Sequence, residues 1–319
     1  MTLLQVRVAA RRQEAQDICS FDLVAAGAAA LPGFSPGAHV DVHVPGGLVR
    51  QYSLWNDPTE QGIYRIGVLK EPNGRGGSRA MHEAVEIGTL LQVSAPRNQF
   101  ALNESAGSSL LLAGGIGITP ILCMAQALAR RERAFSLHYC TRSRDRAAFL
   151  ERLYAADLAG SVHLHFDDGP ASQRLDIDAL LQRQDPATHL YVCGPKGFMD
   201  AVLDAAKKSG WPDDRVHYEF FRADPVHLEG DAPFEVRLAR SGRIVAIPAD
   251  RTVTQALAEA GVDVPTSCEQ GICGTCVTPV LEGTPDHRDS YLMPDEHAAN
   301  DCFTPCCSRS RSPLLVLDL

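Results

Sequence analysis

The first hundred residues alternate short apolar stretches with turns rich in glycine and proline. These stretches contain many Val, Leu and Ile residues and lack a sustained 3.6-residue period, which favours β-strands over helices. The predicted strands cover 3–8, 18–24, 38–44, 50–54, 64–68 and 89–94. Six strands separated by short turns are typical of a small closed barrel, so we predict an antiparallel β-barrel domain over residues 1–103.

The pattern changes at about residue 104, where strands begin to alternate with helices. Predicted strands at 110–113, 134–140, 162–166, 190–193 and 216–220 are separated by helices ending near 129 and at 146–156, 177–184 and 197–208. This alternation predicts an α/β domain with a parallel sheet over residues 104–223. Ligands of such sheets bind at the carboxyl ends of the strands, where Gly114, Thr141 and Cys193 fall.

The last third of the chain begins after a polar segment rich in proline and glycine, which predicts a linker at 224–233. Beyond it, strands are predicted at 234–239, 243–247 and 314–317, with a helix at 253–260. This pattern fits an α+β ferredoxin module over residues 234–319. The fold class is therefore predicted as multidomain: a β-barrel, an α/β domain and a plant-type ferredoxin domain.

Composition narrows the class of protein. The 319 residues are 45% hydrophobic and 22% charged, which is ordinary for globular domains. A formal net charge of −9 argues against nucleic-acid binding. No signal peptide and no apolar run of membrane-spanning length are evident, so neither export nor a membrane span is expected. Ten cysteines without an export signal favour a cytoplasmic protein that uses some of them for a metal.

The cysteines near the end of the chain carry the clearest chemical signal. Cys268, Cys273 and Cys276 are separated by four and two residues, and Cys306 follows after 29 more. This spacing is that of plant-type [2Fe–2S] clusters. Zinc sites usually pair two short clips, and disulfide frameworks suit small secreted domains, so both alternatives fit less well.

The fourth cluster ligand has three candidates in the sequence. Cys302, Cys306 and Cys307 all lie at a suitable distance along the chain. We predict Cys306, because the side chain of Cys307 would point away from it in an extended segment. Gly271 and Gly274 are expected to let the backbone wrap closely around the cluster and aim N–H groups at its sulfurs.

Two glycine-rich turns are candidate phosphate sites. The first, Asn73-Gly-Arg-Gly-Gly-Ser78, opens a predicted helix, and its bare N–H groups and hydroxyl suit a phosphate, although most turns of this kind are simple helix caps. The second, Gly114-Gly-Ile-Gly-Ile-Thr-Pro120, joins a buried strand to a helix. Strand, glycine turn and helix together are typical of dinucleotide-binding folds, and proline is tolerated in the first helical turn.

The whole chain closely resembles the phthalate dioxygenase reductase family. The resemblance lies in the domain order and in several motifs that occur in sequence: Arg50-Gln-Tyr-Ser53, Gly74-Arg-Gly-Gly-Ser78, Gly114-Gly-Ile-Gly-Ile-Thr-Pro120, Tyr191-Val-Cys-Gly-Pro195, the cluster cysteines, Asp286-His-Arg-Asp-Ser290 and Leu314-Leu-Val-Leu-Asp-Leu319. It implies a flavin barrel, a nicotinamide domain and a ferredoxin domain.

The resemblance also implies FMN as the flavin and suggests roles for individual residues. Arg50 and the Gly77-Ser78 turn would hold the phosphate, Tyr52 would lie along the ring system, and Ser53 would approach its reactive edge. Cys193 would lie near the nicotinamide, so Ser53 and Cys193 are the candidate catalytic residues. Phe221 would stack on the flavin. The other candidate cofactor-binding residues are Gln51, Val68, Lys70, Gly76, Gly115, Ile116, Gly117, Thr119, Arg142, Gly194 and Pro195.

The activity implied by the family is electron transfer from NADH through FMN and the [2Fe–2S] cluster to a separate Rieske-type oxygenase or demethylase. A hydride carries two electrons whereas the cluster accepts one, and a flavin can convert between the two. NADPH stays open as the alternative donor, because the stretch 141–145 contains Arg142 and Arg144 as well as Asp145. An NADH-responsive redox sensor and a stand-alone flavin reductase are the alternative functions.

Overall fold

The protein was analysed as a computed structural model that describes residues 3–72, 74–221 and 231–319. It divides into two compact units, Met1–Phe221 and Arg222–Leu319. Most of the predicted linker at 224–233, like Asn73 of the first glycine turn, lies outside the described residues. The predicted boundary at 103/104 falls inside the first unit and stays a prediction.

The first half of the first unit is a β-barrel with one short helix. Its elements are β1 (Leu3–Ala15), β2 (Ile18–Ala25), β3 (His39–Val44), β4 (Leu48–Ser53), β5 (Ile63–Leu69), α1 (Gly77–Ala84) and β6 (Leu90–Ser94). The strands pair antiparallel in the order β4-β3-β6-β1-β2-β5. Beyond β4, Leu54 forms an antiparallel bridge with Ile66 of β5, which joins the two edge strands and closes the barrel.

All six predicted strands are present, but β1 is seven residues longer than the pattern indicated. The extension contains the charged residues Arg11, Arg12 and Glu14, so the pattern of apolar residues did not predict it as strand. It pairs with β2 through a tight hairpin at Asp17, which has a left-handed backbone (φ 63°). The Arg12 guanidinium also donates to the Asp22 carboxylate across the hairpin at 3.0 and 3.1 Å.

The second half of the first unit is a five-stranded parallel sheet with helices on both faces. Its elements are β7 (Ser108–Gly114), α2 (Ile118–Arg130), β8 (Ala134–Thr141), α3 (Leu150–Leu153), β9 (Val162–Phe166), α4 (Ile177–Gln182), β10 (Thr188–Gly194), α5 (Lys196–Lys208) and β11 (Val216–Phe220). The strand order is β11-β10-β7-β8-β9. Strands β8 and β9 are added on one side of β7, and β10 and β11 on the other. Ligands of such sheets bind at this switch point, at the carboxyl ends of β7 and β10.

The predicted helix at 146–156 was largely wrong, because only α3 forms there. Phe149 adopts a left-handed backbone (φ 60°), which stops a helix from continuing through it. Its ring packs against that of Trp55 with centroids 4.7 Å apart. The preceding Ala148 donates its backbone N–H to the buried Tyr139 hydroxyl at 3.1 Å. Packing of this segment into the core has overridden its helical pattern.

One hydrophobic cluster joins the barrel to the parallel sheet, in addition to a core inside the barrel and a further cluster where α4 and α5 pack on the sheet. Ile18 and Trp55 of the barrel are buried in the same cluster as residues of α2 and β8. The Gln126 side chain of α2 donates to the Trp55 carbonyl at 2.6 Å, and Arg130 forms an ion pair with Asp57. These contacts explain why residues 3–72 and 74–221 form a single compact unit.

The second unit is an α+β fold whose main sheet has five strands. Its elements are β12 (Phe234–Leu238), β13 (Ile244–Ile247), α6 (Val253–Glu259), β14 (Thr278–Glu282), β15 (Pro285–Asp286), α7 (Pro294–Ala299), β16 (Cys302–Phe303), β17 (Arg309–Ser310) and β18 (Leu314–Leu317). The order in the main sheet is β13-β12-β18-β14-β16, and β15 pairs with β17. Thr252 and Gln255 form a capping box that starts α6.

Five elements of this unit escaped the prediction: β14, β15, β16, β17 and α7. Three of the strands are only two residues long, and α7 has six residues. Elements this short carry no detectable period. They lie between the cysteine loop and β18, where β14 pairs with β18 and with β16, and β15 pairs with β17.

Candidate functional site

Four cysteine thiols meet inside the second unit. Cys268, Cys273 and Cys276 lie on one irregular loop after α6, and Cys306 lies on a turn between β16 and β17; all four are buried. The Cys268 sulfur is hydrogen-bonded to the thiols of Cys273 and Cys306. Cys306 also contacts the Cys276 sulfur. The loop and the turn thus build one buried site from four sulfurs.

This donor set fits a [2Fe–2S] cluster. Hydrogen bonds from the Cys273 and Cys306 thiols lower the pKa of the Cys268 thiol, which favours its thiolate form. Thiolates are the form in which cysteines bind iron, and four of them hold a plant-type cluster. The four sulfurs converge and can therefore serve as ligands without a change of fold.

Backbone N–H groups of the loop point at two of the sulfurs. The Gln270 N–H donates to Cys268 Sγ at 3.4 Å, and the Thr275 N–H donates to Cys273 Sγ at 3.5 Å. Hydrogen bonds of this kind stabilise negative charge on sulfur and tune the reduction potential of a cluster. The prediction that the loop aims its amides at sulfur agrees with this geometry.

Gly271 and Gly274 both have left-handed backbones, with φ of 73° and 66°. A methyl group on Gly271 would lie 2.4 Å from the Cys307 sulfur, and one on Gly274 would lie 2.1 Å from the Tyr291 ring. The sequence predicted that these glycines let the backbone wrap closely around the cluster. The structure shows that they also make room for side chains packed behind the loop.

Cys302 and Cys307, the two alternatives to Cys306 as the fourth ligand, differ from it in position. Cys302 lies on β16, where burial and a hydrogen bond with Asp301 raise the pKa of its thiol to about 11. Cys307 follows Cys306 in a turn, not in the extended segment that we predicted. Its sulfur lies 3.3 Å from the Thr304 hydroxyl and also contacts Cys306.

The candidate flavin site lies on β4 and at the start of α1. Residues Arg50, Gln51, Tyr52 and Ser53 form the end of β4. The Arg50 side chain passes so close to α1 that a methyl group on Gly77 would lie 2.6 Å from its Cγ. A guanidinium beside a helix N-terminus is a favourable arrangement for a phosphate.

The turn before α1 is held by its own hydrogen bonds. Gly76 has a left-handed backbone (φ 89°) and precedes the helix. The Ser78 hydroxyl accepts the N–H of Glu71 at 3.1 Å, which leaves its hydrogen available for a phosphate oxygen. The resemblance implies backbone contacts from Val68 and Lys70 to the flavin, but one backbone group of each already has a partner in the protein. The Val68 carbonyl accepts from the His82 ring at 2.9 Å, and the Lys70 N–H donates to the Asp17 backbone carbonyl at 2.7 Å.

The second glycine turn packs tightly against the end of β10. Gly115, Ile116 and Gly117 form a 3₁₀ turn between β7 and α2, and the Thr119 hydroxyl donates to the Ile116 carbonyl at 3.1 Å. A methyl group on Gly117 would lie 2.3 Å from the Cys193 carbonyl oxygen. The two strand ends can therefore approach only because this position has no side chain.

The remaining predicted residues surround the same crevice. Cys193 is fully buried, Gly194 ends β10, and Pro195 precedes α5. Arg142 follows β8 with an exposed side chain. Phe221 follows β11 and packs against the core shared by barrel and sheet.

One half-buried carboxylate at this crevice was missed by the sequence analysis. Glu219 lies on β11 beside Cys193 of β10. Its Oε2 accepts the Ser53 hydroxyl at 3.4 Å, and its Oε1 lies 3.8 Å from His39 Nδ1. Burial raises the pKa of Glu219 to about 8, so it is protonated at neutral pH. Burial also raises the pKa of the Cys193 thiol, and Glu219 raises it further.

The comparisons with known proteins agree with this geometry. Residues 236–311 match the 2Fe-2S iron-sulfur cluster binding domain, and residues 92–216 match the dimethylamine monooxygenase subunit DmmA-like N-terminal domain. The chain is 57% identical over 317 residues to a vanillate O-demethylase oxidoreductase from Pseudomonas sp. (strain HR199 / DSM 7063), a match that covers 99% of this chain and 100% of the relative.

A solved structure extends the match to three dimensions. It is described as phthalate dioxygenase reductase, a modular structure for electron transfer from pyridine nucleotides to [2Fe–2S]. It has a TM-score of 0.78 and 42% identity, and the match covers 99% of this chain and 98% of that one. The chain belongs to the phthalate dioxygenase reductase family.

Membership in the phthalate dioxygenase reductase family confirms the predicted oxidoreductase with a flavin barrel, a nucleotide-binding α/β domain and a [2Fe–2S] domain. It favours a reductase over the redox sensor that was the alternative. An intact type IV self-sufficient cytochrome P450 monooxygenase also matches, with a TM-score of 0.84 and 37% identity over 99% of this chain. The chain spans 41% of the length of that monooxygenase.

Within residues 3–72, 74–221 and 231–319, no helix is both long enough and apolar enough to cross a bilayer.

The signal that could have revealed Glu219 was present in the sequence. It lies in Tyr218-Glu-Phe-Phe221, as the one ionisable carboxylate in an aromatic strand next to a predicted flavin-stacking residue.

We predict that Glu219→Gln removes a pH dependence of stability from the first unit. The folded-state pKa of about 8 lies above the ordinary value of 4.5, so folding favours the protonated acid. This stabilisation is fully present below about pH 4.5 and is lost as the pH rises through about 8. Denaturant midpoints measured at pH 5 and pH 8 should differ more for the wild type than for Glu219→Gln.

Glu86→Gln is the matched control for this prediction, because Glu86 is exposed in the same unit. Its midpoints should follow those of the wild type at both pH values. Identical pH profiles for Glu219→Gln and the wild type would show that the carboxyl group titrates normally.

Proposed function

We propose that the protein transfers electrons from NADH through FMN and a [2Fe–2S] cluster to a separate Rieske-type oxygenase that acts on aromatic compounds. The observation that carries this proposal is the identity of 57%, over the whole length of both chains, to a vanillate O-demethylase oxidoreductase. The four converging thiols and the two glycine turns provide residues suited to each redox group.

The cluster site would use Cys268, Cys273, Cys276 and Cys306 as ligands. When bound, the cluster would take up and release electrons one at a time. The protein keeps the four sulfurs buried, which limits access of water, and the amides of the loop stabilise their charge. Cys306 is assigned over Cys302 because its thiol contacts the Cys268 and Cys276 sulfurs.

The flavin site would use Arg50 and the N-terminus of α1 for the phosphate of FMN. The single phosphate of FMN suits a guanidinium and helix amides that lie side by side. Residues Gln51, Tyr52 and Ser53 would follow the ring system along β4, with backbone contacts from Val68 and Lys70 and further phosphate contacts from Gly76, Gly77 and Ser78. Phe221, which packs against the cluster that joins barrel and sheet, would stack on the flavin.

The nicotinamide site would lie in the crevice between β7 and β10. The turn of Gly115, Ile116 and Gly117, with Thr119, would receive the pyrophosphate. Cys193, Gly194 and Pro195 would lie beside the nicotinamide, where Ser53 and Glu219 meet Cys193. When bound, the flavin supplies the hydride-accepting chemistry. The Ser53 hydroxyl donates to Glu219 Oε2 at the end of β4, so these two residues would hold a proton beside the flavin-binding strand.

NADH is proposed as the donor over NADPH. Arg144, one of two arginines that could bind a 2′-phosphate, interacts with Tyr154: its guanidinium lies 5.9 Å from the ring centroid and 3.3 Å from the hydroxyl. Arg142 alone is then left beside the ribose. We also propose that the protein works in the reducing cytoplasm, as its ten cysteines and the cluster spacing suggest.

Reconstitution of a complete oxygenase reaction tests the proposal. Holoprotein is mixed with NADH, oxygen, a methoxylated benzoate and a purified Rieske-type demethylase. Each turnover should consume one NADH and one oxygen molecule and release one phenol, one formaldehyde and one water. We expect formaldehyde equal to the NADH consumed, and a lower kcat/KM with NADPH than with NADH.

A cytochrome P450 is the informative second acceptor, because a reductase region matching this chain occurs in an intact P450 monooxygenase. Product formation with the P450 and none with the Rieske-type enzyme would show that the partner is a cytochrome P450 and not a Rieske-type oxygenase. NADH oxidation that yields only hydrogen peroxide with both would instead support the stand-alone flavin reductase.

A further inference from the structure

A second group of metal-binding side chains lies in the iron–sulfur unit, outside the four cysteines. His287, Asp289 and His297 place a ring nitrogen, a carboxylate oxygen and a second ring nitrogen within 4.8 Å of one another. Asp289 Oδ1 lies 3.9 Å from His287 Nδ1 and 3.3 Å from His297 Nε2. The function proposed above leaves these three residues without a role.

The carboxylate is held so that one oxygen faces the histidines. Asp289 Oδ2 accepts the backbone N–H groups of Tyr291 and Leu292 at 3.1 and 2.7 Å. Oδ1 is thereby directed toward the two rings, with the Ser308 hydroxyl at 3.5 Å. Carboxylates that bind metals are commonly held by hydrogen bonds to one oxygen, which directs the other toward the metal.

The tautomer of His287 follows from its other neighbour. Its Nε2 lies 3.2 Å from the Asn300 side-chain oxygen, and the Asn300 amide nitrogen donates to the Ala298 carbonyl, which fixes the amide orientation. Nε2 must therefore carry the hydrogen, because an amide oxygen only accepts. In the neutral ring Nδ1 then has a bare lone pair.

This lone pair is buried and points at another acceptor. The His287 side chain is only 9% exposed, and its Nδ1 has no hydrogen-bond partner although it faces Asp289 Oδ1. Two acceptors facing each other in a buried place are unfavourable unless a proton or a cation lies between them. Neighbouring Arg288 does not fill this role, because its guanidinium pairs with Asp231 and Asp286 at 2.6 and 2.7 Å.

We propose that His287, Asp289 and His297 bind one divalent transition-metal ion of the Zn²⁺ class. Two imidazoles and one carboxylate suit such ions better than Mg²⁺ or Ca²⁺, which prefer oxygen ligands. Ligand bonds of about 2.1 Å require donor atoms roughly 3.4 Å apart. Asp289 Oδ1 meets this spacing with His297 at 3.3 Å, and with His287 at 3.9 Å it needs only a small shift. A water molecule completes the coordination.

Binding requires one local movement. The His287 and His297 rings stack with centroids 4.5 Å apart and an angle of 26° between their planes, so an ion cannot lie in both planes at once. His297 is on the six-residue helix α7 with 32% of its side chain exposed, and its ring can turn out of the stack. Asp289 also packs against Gly271, and Ser290 donates to the Gly271 carbonyl, so the ion would brace the cysteine loop.

Calorimetric titration of the cluster-loaded protein with ZnCl₂ tests this site. We expect one ion per chain in the wild type and, for His287→Gln and His297→Gln, binding weakened by roughly tenfold or more. X-ray absorption at the zinc edge should show nitrogen and oxygen ligands without sulfur. His297→Gln changes a partly exposed side chain, so its cluster absorbance should match that of the wild type.

His165→Gln is the matched control. His165 belongs to a separate stack with His138 on β8 and β9, where its Nε2 lies 3.0 Å from His138 Nδ1. This variant should bind zinc as the wild type does. The proposal is overturned if no zinc binds, if the ion is lost only in His165→Gln, or if sulfur appears in the zinc shell. Equal affinity in the wild type and both site variants would also overturn it.

Discussion

Cys306→Ser is expected to lose the [2Fe–2S] cluster while retaining the flavin. The Cys306 thiol contacts the Cys268 and Cys276 sulfurs, so its loss removes the ligand that joins the separate turn to the cysteine loop. A serine hydroxyl stays protonated near neutral pH and is a poor substitute for a thiolate. Iron content and visible absorbance should fall to the background level. NADH should still bleach the flavin, whereas reduction of cytochrome c should be abolished.

Cys302→Ser and Cys307→Ser are the matched controls, because both remove a thiol from the same unit. Cys302 lies apart on β16, and Cys307 points toward Thr304. Each should keep the cluster and most of the cytochrome c reduction. Cluster loss in Cys307→Ser with retention in Cys306→Ser would reverse the ligand assignment. Cys273→Ser should behave like Cys306→Ser, and loss of flavin reduction as well would mean that the cluster is structural.

Gly117→Ala is expected to destabilise the first unit by about 3 kcal/mol and to weaken nucleotide binding. The added methyl would lie 2.3 Å from the Cys193 carbonyl oxygen and 2.7 Å from the Gly194 nitrogen. Both are backbone atoms inside a sheet, so they cannot swing away as a flexible side chain could. The end of β10 must separate from the turn after β7. Chemical denaturation and the rate of flavin reduction by NADH measure the two effects.

Gly197→Ala is the control for the same substitution in a tolerant place. A methyl group at Gly197 would meet nothing within 4 Å, and the residue lies inside helix α5. Alanine is favoured over glycine in a helix, so this variant should be as stable as the wild type or up to about 1 kcal/mol more stable. A Gly117→Ala protein as stable as Gly197→Ala would show that the turn can move aside freely.

The fold was predictable wherever long elements carried a clear period. The six barrel strands, the parallel sheet and helices α2 and α5 all appear within a few residues of their predicted positions. The errors occurred where packing decided the conformation. The segment around Phe149 reads as helix, but the aromatic ring enters the core beside Trp55, and the backbone becomes left-handed there.

The residues of the candidate site also fall into two groups: those that local sequence motifs predict and those that only the tertiary structure brings together. The cysteine loop and the two glycine turns are local in sequence, because each binds its group with a few consecutive residues. The Ser53–Glu219 hydrogen bond joins residues 166 positions apart, so a local sequence pattern cannot predict that the two side chains meet. In the sequence, His287 and Asp289 stand only within a motif of the family resemblance, and their relation to His297 depends on tertiary structure and on which nitrogen of His287 Asn300 engages.

The amino-acid sequence by itself determined the domain order, the iron–sulfur spacing and the family, because local periodicity and short motifs encode them directly. Tertiary structure alone decided which buried groups face each other. It placed Glu219 beside Ser53 and Cys193, and it brought Cys306 to the other three thiols. The physical reason is that burial and close approach depend on chain segments distant in sequence, and these effects change the acidity and the partners of a side chain without changing its identity.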